Sequence, residues 1–430
     1  MTLKMKNKKL WLGLAFTVLV LFVYRLGYYI QLPYIRYENV QALYDTGKDM
    51  FGFLDIFSGG ALSNFSILAL GVSPYITASI VIQLLQMDIV PQFKEWAEEG
   101  ATGREKLNAA TKYLAIGLAF VQSLTIVLGI SVSYNNLFFG VGTPDGIFTF
   151  IYLAVVMTAG TGFVLWLADK VSKLGVGNGT SLFIVAGIIA SFPDMINDLM
   201  QTYILADEVT VGGIFIFIGV ILLLIAIIIG IVFMEAAQRK IPIQYANRPS
   251  SAMFRGRNDS NIPIKLNSAS VIPVIFASTL TSLPLTIANF IQNTAAKTWL
   301  TNVFSSSEPI GFALYIVLIY VFSFFYTFMQ MSPDKMAENL QKQNAYIPGI
   351  RPGEETAAYI SRVLFKITVV GATYLAIVAA LPIIVSSIFN LPSSVSVGGT
   401  SLIIVVGVAI ETAKQIKQAA QEKEYHGFLD

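Results

Sequence analysis

Hydrophobic residues along this chain come in long blocks separated by polar stretches, and block length is the first property the pattern fixes. Apolar segments of ~20 residues, the length a helix needs to cross a hydrocarbon core, begin near Leu10, Leu68, Tyr113, Ile147, Thr180, Gly212, Ser270, Ile310, Val363 and Gly398. They predict ten membrane-crossing helices. The first runs past Arg25 to Tyr29 with no small-residue cleavage site behind it, so it reads as a retained helix rather than a removed signal peptide. Between the first two blocks, Phe51 to Ser66 is moderately apolar, too short to span, and broken by Gly59 and Gly60. Irregular backbone at membrane depth must be covered by protein or face a water-filled cavity. The bland reading of this segment is an outer surface loop; the sharper one is a re-entrant stopper hinged at the glycines.

The blocks also repeat one another. Val72, Pro74, Ile76, Ala78 and Ser79 recur at the same spacing as Val271, Pro273, Ile275, Ala277 and Ser278. Gly179, Thr180, Ser181, Leu182, Ile184, Val185 and Gly187 recur as Gly399, Thr400, Ser401, Leu402, Ile404, Val405 and Gly407. The first pair matches block 2 with block 7, the second block 5 with block 10. A constant offset of five crossings reverses direction through the membrane, which predicts two inverted pseudo-symmetric halves with the working site where they meet. The halves divide at 1–208 and 209–430, with cytoplasmic loops at 236–268 and 332–361. The symmetry pairs Ile76 with Ile275 and Ile184 with Ile404, so four branched apolar residues are expected around a central axis.

Composition agrees with a membrane protein: 55% of residues are hydrophobic and 13% charged, against roughly 25% charged in a soluble domain. The net charge of +2 is uninformative, but its distribution is not. With ten crossings and the amino terminus inside, the outer loops hold only Arg36, Lys48 and Lys297, and Arg25 ends the first helix. Nearly all other lysines and arginines fall on the opposite side, which places both termini in the cytoplasm.

What the chain lacks narrows the chemistry. It has no cysteine, and its one histidine, His426, lies near the carboxyl end. No disulfide, thiolate site or histidine-based catalytic or metal centre is expected, nor any cofactor, and no Gly-x-x-x-x-Gly-Lys-Ser/Thr loop for a nucleotide is present. The expectation is a protein that is not an enzyme. The repeat-bearing helices have no ionisable residue in their middle turns, whereas a secondary transporter for a small solute usually keeps one for coupling or binding. A waist lined by apolar side chains alone gates by excluding water and binds nothing in particular. That suits a pore whose passenger has no fixed chemistry.

At this point the residues resemble a known family. Phe57-Ser-Gly-Gly-Ala-Leu-Ser63, Ala69-Leu-Gly-Val-Ser-Pro-Tyr-Ile-Thr-Ala-Ser79 with Gln83-Leu-Leu-Gln86, Gly177-Asn-Gly179, Val271-Ile-Pro-Val-Ile-Phe-Ala-Ser278, Ile347-Pro-Gly-Ile-Arg-Pro-Gly353 and Gly398-Gly-Thr-Ser-Leu402 are similar to the SecY/Sec61-alpha family over nearly the whole chain. The resemblance implies an all-α membrane protein whose helices 1–5 and 6–10 close like a clam-shell on an hourglass pore with a re-entrant plug helix. Carried residue by residue, it implies an apolar ring of Val72, Ile76, Ile184, Ile275 and Ile404. A sixth ring position falls on Thr180, where the family usually has a larger apolar residue, so the waist here is expected to be more polar. The plug maps to Leu54–Ser66, including Leu54, Phe57, Ser58, Gly59, Gly60 and Leu62. A lateral gate is implied between helices 2 and 3 and helices 7 and 8, with Thr77, Gln83, Gln122, Ser278, Thr279 and Ser282 as polar tuning positions. Arg351 is implied in engaging the SecA ATPase, and the loop with Arg248, Arg255 and Arg257 in docking SecA and the ribosome; Glu105 replaces a commonly basic residue, and the cytoplasmic amino-terminal arm is short. The expected partners are SecE and SecG in a heterotrimer, SecA, the ribosome, signal peptides and nascent preproteins, and membrane lipids. The expected location is the bacterial cytoplasmic membrane. An accessory family member devoted to glycosylated surface proteins is the in-family alternative.

Overall fold

A computed structural model describes residues 2–35, 55, 58–86, 89–133, 146–205, 211–245, 260–288, 291, 294–389, 391 and 393–421. Among these residues the elements are α1 (Thr2–Gly27), α2 (Ser73–Leu85), α3 (Pro91–Glu98), α4 (Ala101–Ser133), α5 (Gly146–Leu174), α6 (Gly179–Tyr203), α7 (Val211–Ala236), β1 (Gln238–Tyr245), β2 (Ser260–Lys265), α8 (Ile272–Ala288), α9 (Thr294–Phe304), α10 (Pro309–Gln330), α11 (Pro333–Lys342), β3 (Ala345–Tyr346), α12 (Glu354–Phe389) and α13 (Ser393–Gln421). The ten apolar blocks correspond to α1, α2, α4, α5, α6, α7, α8, α10, α12 and α13. Seven of these are long and apolar enough to cross a membrane outright, and α2 and α8 are shorter apolar helices.

The shortness of α2 and α8 has a local cause. Each follows a residue with positive φ, Gly71 at 51° and Ser270 at 54°, and each carries a proline in its first turn, where a missing N–H costs nothing. The Val72 carbonyl accepts the N–H groups of Tyr75 and Ile76 at 3.1 and 3.2 Å; the Val271 carbonyl accepts those of Val274 and Ile275 at 3.2 and 3.3 Å. Upstream, Gly71 N–H donates to Leu68 O, and Ser270 N–H to Asn267 O. The first sequence repeat is therefore a repeat of backbone geometry, hydrogen bond for hydrogen bond. Block 2 had been expected to be helical from near Leu68; helix begins only at Ser73, because the left-handed Gly71 breaks the α path.

Packing follows the same symmetry. In the first half α4 lies on both α2 and α5, and α5 on α6; in the second α10 lies on α8 and α12, and α12 on α13. Between the halves α2 touches its mate α8, and α6 touches its mate α13. A pseudo-two-fold brings an element against its own copy only close to the axis, so these four helices surround it. The largest core cluster draws on both halves and includes residues of all four.

Outside the helical body the two long loops join. β1 pairs antiparallel with β2 and, at Gln244 and Tyr245, with β3, in the order β2-β1-β3. Ile241, Ile243 and Ile264 pack with Leu340, Ile347, Ile360 and Leu364 beneath this sheet. Pro242 sits in the central strand, opposite Asn261 of β2 and beyond the two residues that pair with β3.

Candidate functional site

The helices nearest the axis carry the ring positions. Val72 and Ile404 are completely buried, and Ile76, Ile184 and Ile275 are 6%, 4% and 8% exposed. All five lie in the one apolar cluster that joins the halves. No Asp, Glu, Lys, Arg or His occurs in α2 or α8, none precedes Asp194 in α6, and none precedes Glu411 in α13. Thr180 lies one turn before Ile184 on the same helix. It is half-buried in the first turn of α6, and its Oγ1 donates to Asn178 Oδ1 at 2.9 Å. Val271, the mate of Val72, is also in the cluster; the repeat carried the signal for it.

The short segment before α2 is packed inside the protein. Ser58, Ala61, Leu62, Ser63, Phe65 and Ser66 are all buried, so the reading as a surface loop fails for the described part. Asp55 organises it. Its carboxylate accepts the N–H of Leu62 and of Ser63 at 3.1 and 2.9 Å and the Ser63 hydroxyl at 2.6 Å. Burial pushes this carboxyl above the ordinary carboxylate range, against the opposing pull of those bonds. Helix α1 holds the segment from the side: Arg25 Nη1 donates to Gly59 O at 2.8 Å, and Asn64 Nδ2 donates to Tyr28 O at 3.2 Å. The Arg25 guanidinium also lies 4.2 Å over the Tyr28 ring. Gly59 and Gly60 have φ of 69° and 81°, and a Cβ on Gly59 would stand 3.0 Å from Gly187 Cα in α6. Leu32 N–H to Phe65 O and Ile67 N–H to Ile30 O, at 2.8 and 2.9 Å, close the far end. Leu54 and Phe57 lie outside the described residues. Asp55 and Arg25 as fastening residues were not singled out from sequence, although a lone acid in an apolar segment and a lone base ending an apolar helix are the available signals.

The contact between α2 and α8 is the seam where the gate positions were expected. Ser278 donates to Val274 O at 2.8 Å and lies 3.3 Å from Tyr315 Oη of α10. Thr279 donates to Ile275 O, Ser282 to Thr279 O, Thr77 to Ser73 O, and Gln83 Nε2 to Ser79 Oγ. Each of these bonds stays within its own half. Gln122 is half-buried on α4.

On the sheet side, Arg351 is exposed between Gly349 and Gly353, whose φ values are 82° and 104°. Its carbonyl accepts the Thr356 hydroxyl at 2.8 Å, which ties the turn to the start of α12. Arg248, Arg255 and Arg257 lie outside the described residues, on the connection between β1 and β2. Because β1 pairs with both β2 and β3, that connection and the Arg351 turn stand on one sheet, a link not foreseen from sequence.

The SecY family model matches residues 66–413. The chain belongs to the SecY family. The protein translocase subunit SecY of Halalkalibacterium halodurans is 45% identical over 416 residues, covering 96% of this chain and 95% of that one. The subunit of the same name from Bacillus subtilis is 43% identical over 421 residues, 97% and 96% of the two chains. Among solved structures, one described as a protein conducting channel aligns with a TM-score of 0.63 at 20% identity, covering 95% of this chain and 92% of its own. Sec61 in the canine ribosome-channel complex aligns at 0.61 and 19% identity, with 95% and 92% covered. The chain is thus a multi-pass membrane protein with the SecY fold.

Proposed function

We propose that this protein is the protein-conducting channel of a Sec translocon, passing unfolded secretory proteins across the membrane and releasing transmembrane segments sideways into lipid. The observation that carries the reading is the meeting of Val72, Ile76, Ile184, Ile275 and Ile404 in one apolar cluster on the four helices nearest the pseudo-symmetry axis. An apolar constriction excludes water and ions without binding any particular passenger, and polypeptides of arbitrary sequence need such a gasket. Thr180 borders that waist and makes it more polar on one side. The segment 54–66 is the plug, and its two left-handed glycines are the hinges about which it leaves. Halves 1–208 and 209–430 separate at the α2–α8 seam, with Thr77, Gln83, Gln122, Ser278, Thr279 and Ser282 tuning its closure.

The channel is passive. SecA or the ribosome drives the passenger and docks on the sheet through Arg351 and through Arg248, Arg255 and Arg257; basic side chains suit ribosomal phosphates because they bind without reading sequence. SecE and SecG complete the heterotrimer, signal peptides and nascent preproteins are the clients, and the protein resides in the bacterial cytoplasmic membrane with both termini cytoplasmic. Deleting residues 58–66 tests the reading. Reconstituted membranes should become leaky to ions, whereas unchanged conductance with abolished uptake of a small solute would instead establish a transporter.

A further inference from the structure

The mechanism above uses none of the polar groups at the junction of α7, β2 and α13, yet one of them is a carboxylate at the base of the docking sheet. Glu235, in the last turn of α7, is only 5% exposed. Its Oε2 accepts Asn267 Nδ2 at 3.4 Å, and its Oε1 lies 4.0 Å from Lys265 Nζ at the end of β2. Lys414 Nζ of α13 donates to the Glu235 carbonyl at 3.4 Å. Asn267, itself 5% exposed, turns the same amide onto Ser270 O at 3.0 Å. Ser270 is the left-handed residue from which α8 starts, and Ile275 follows one turn later.

The equivalent turn in the first half needs no such support. Gly71 adopts the left-handed conformation without strain, and Leu68 stands where Asn267 stands. In the second half a serine is held there at φ 54°, a conformation strained for an L-residue, and the bond from Asn267 offsets that strain. Just above, Leu266 N–H donates to Ala237 O at 2.9 Å, so the β1–β2 hairpin is pinned to the same spot. Glu235 therefore touches the root of the docking hairpin, the turn that aims α8, and α13, the helix bearing Ile404.

We infer that Glu235 is a positioning residue: through Asn267 it fixes the angle at which α8 leaves the hairpin, and so holds Ile275 in the closed waist until load on the hairpin shifts it. This rests on the ring reading of Ile275. It is tested with the full chain, purified with its associated subunits and reconstituted in liposomes, by measuring resting ion efflux for Glu235→Ala, Glu235→Gln, Asn267→Ala and the 58–66 deletion. Glu235→Ala and Asn267→Ala should raise resting efflux about tenfold, the factor that ~1.4 kcal/mol produces, at unchanged abundance and thermal midpoint. Glu235→Gln, which keeps an accepting oxygen, should stay close to the parent. If Glu235→Ala fails to accumulate, Asn267→Ala decides alone, since it leaves the ion pair with Lys265 intact. Alanine variants as tight as the parent beside a leaky deletion would overturn the role of Glu235 and leave the seal standing. A tight deletion as well would sink both.

Discussion

Asp55 is a carboxylate encircled by donors, and its removal makes a sharp test at the scale of one side chain. Asp55→Ala leaves the Ser63 N–H and the Ser63 hydroxyl without their acceptor and the Leu62 N–H with Ser58 Oγ alone, and each buried unsatisfied group costs ~1–3 kcal/mol. The expected outcome is faster proteolysis of the 58–66 segment and raised resting ion efflux, with Asp55→Asn milder because an oxygen remains. Ile404→Asn should also raise efflux, since a buried amide draws water into an apolar waist; efflux equal to the parent's would place the seal elsewhere. The pairing of Ile76 with Ile275 and of Ile184 with Ile404 was legible because a repeat at constant offset identifies equivalent positions without any structure. The fastening by Asp55 and Arg25 was not legible, because the groups they bind are mostly backbone amides and carbonyls, which no residue pattern announces.

Among the elements, the sheet lies in stretches that read as loops from sequence, as do α3, α9 and α11. The strands read Lys-Ile-Pro-Ile-Gln and Asn-Ile-Pro-Ile-Lys: the alternation is there, but it lasts only a few residues and contains a proline that argues against a central strand. What stabilises them is the non-local cluster with α11 and α12, which lies far along the chain. Ile264 is fully buried in that cluster, and Ile264→Ala should cost ~2–5 kcal/mol locally. The check is limited proteolysis of membranes: the β1–β2 connection should be cut faster while the spanning helices stay protected. On the proposed docking role of the sheet, motor-driven export should fall with it.

For the molecule as a whole, two inverted halves facing each other across four helices imply a single path through the centre. A stalled secretory chain should therefore crosslink to cysteines placed at Ile76 and at Ile404, and not to one at Phe215, whose side chain is 70% exposed on the outer face of α7. The absence of native cysteine makes this readout clean. Crosslinks at Phe215 alone would move the passenger outside the bundle. The pairing of α2 with α8 and of α6 with α13 was readable from the repeats, whereas the true lengths of the helices were not, since apolar residues continue upstream of the left-handed turns that end the helical path.

Those short helices have a mechanical corollary for lipid. At 1.5 Å per residue, the 13 residues of α2 make a rod of about 20 Å against a hydrocarbon thickness of about 30 Å. Where so short a helix borders lipid, acyl chains compress or tilt to match it. On the proposed reading of the α2–α8 seam as the exit to lipid, a hydrophobic passenger leaving there crosses the thinnest stretch of the channel wall.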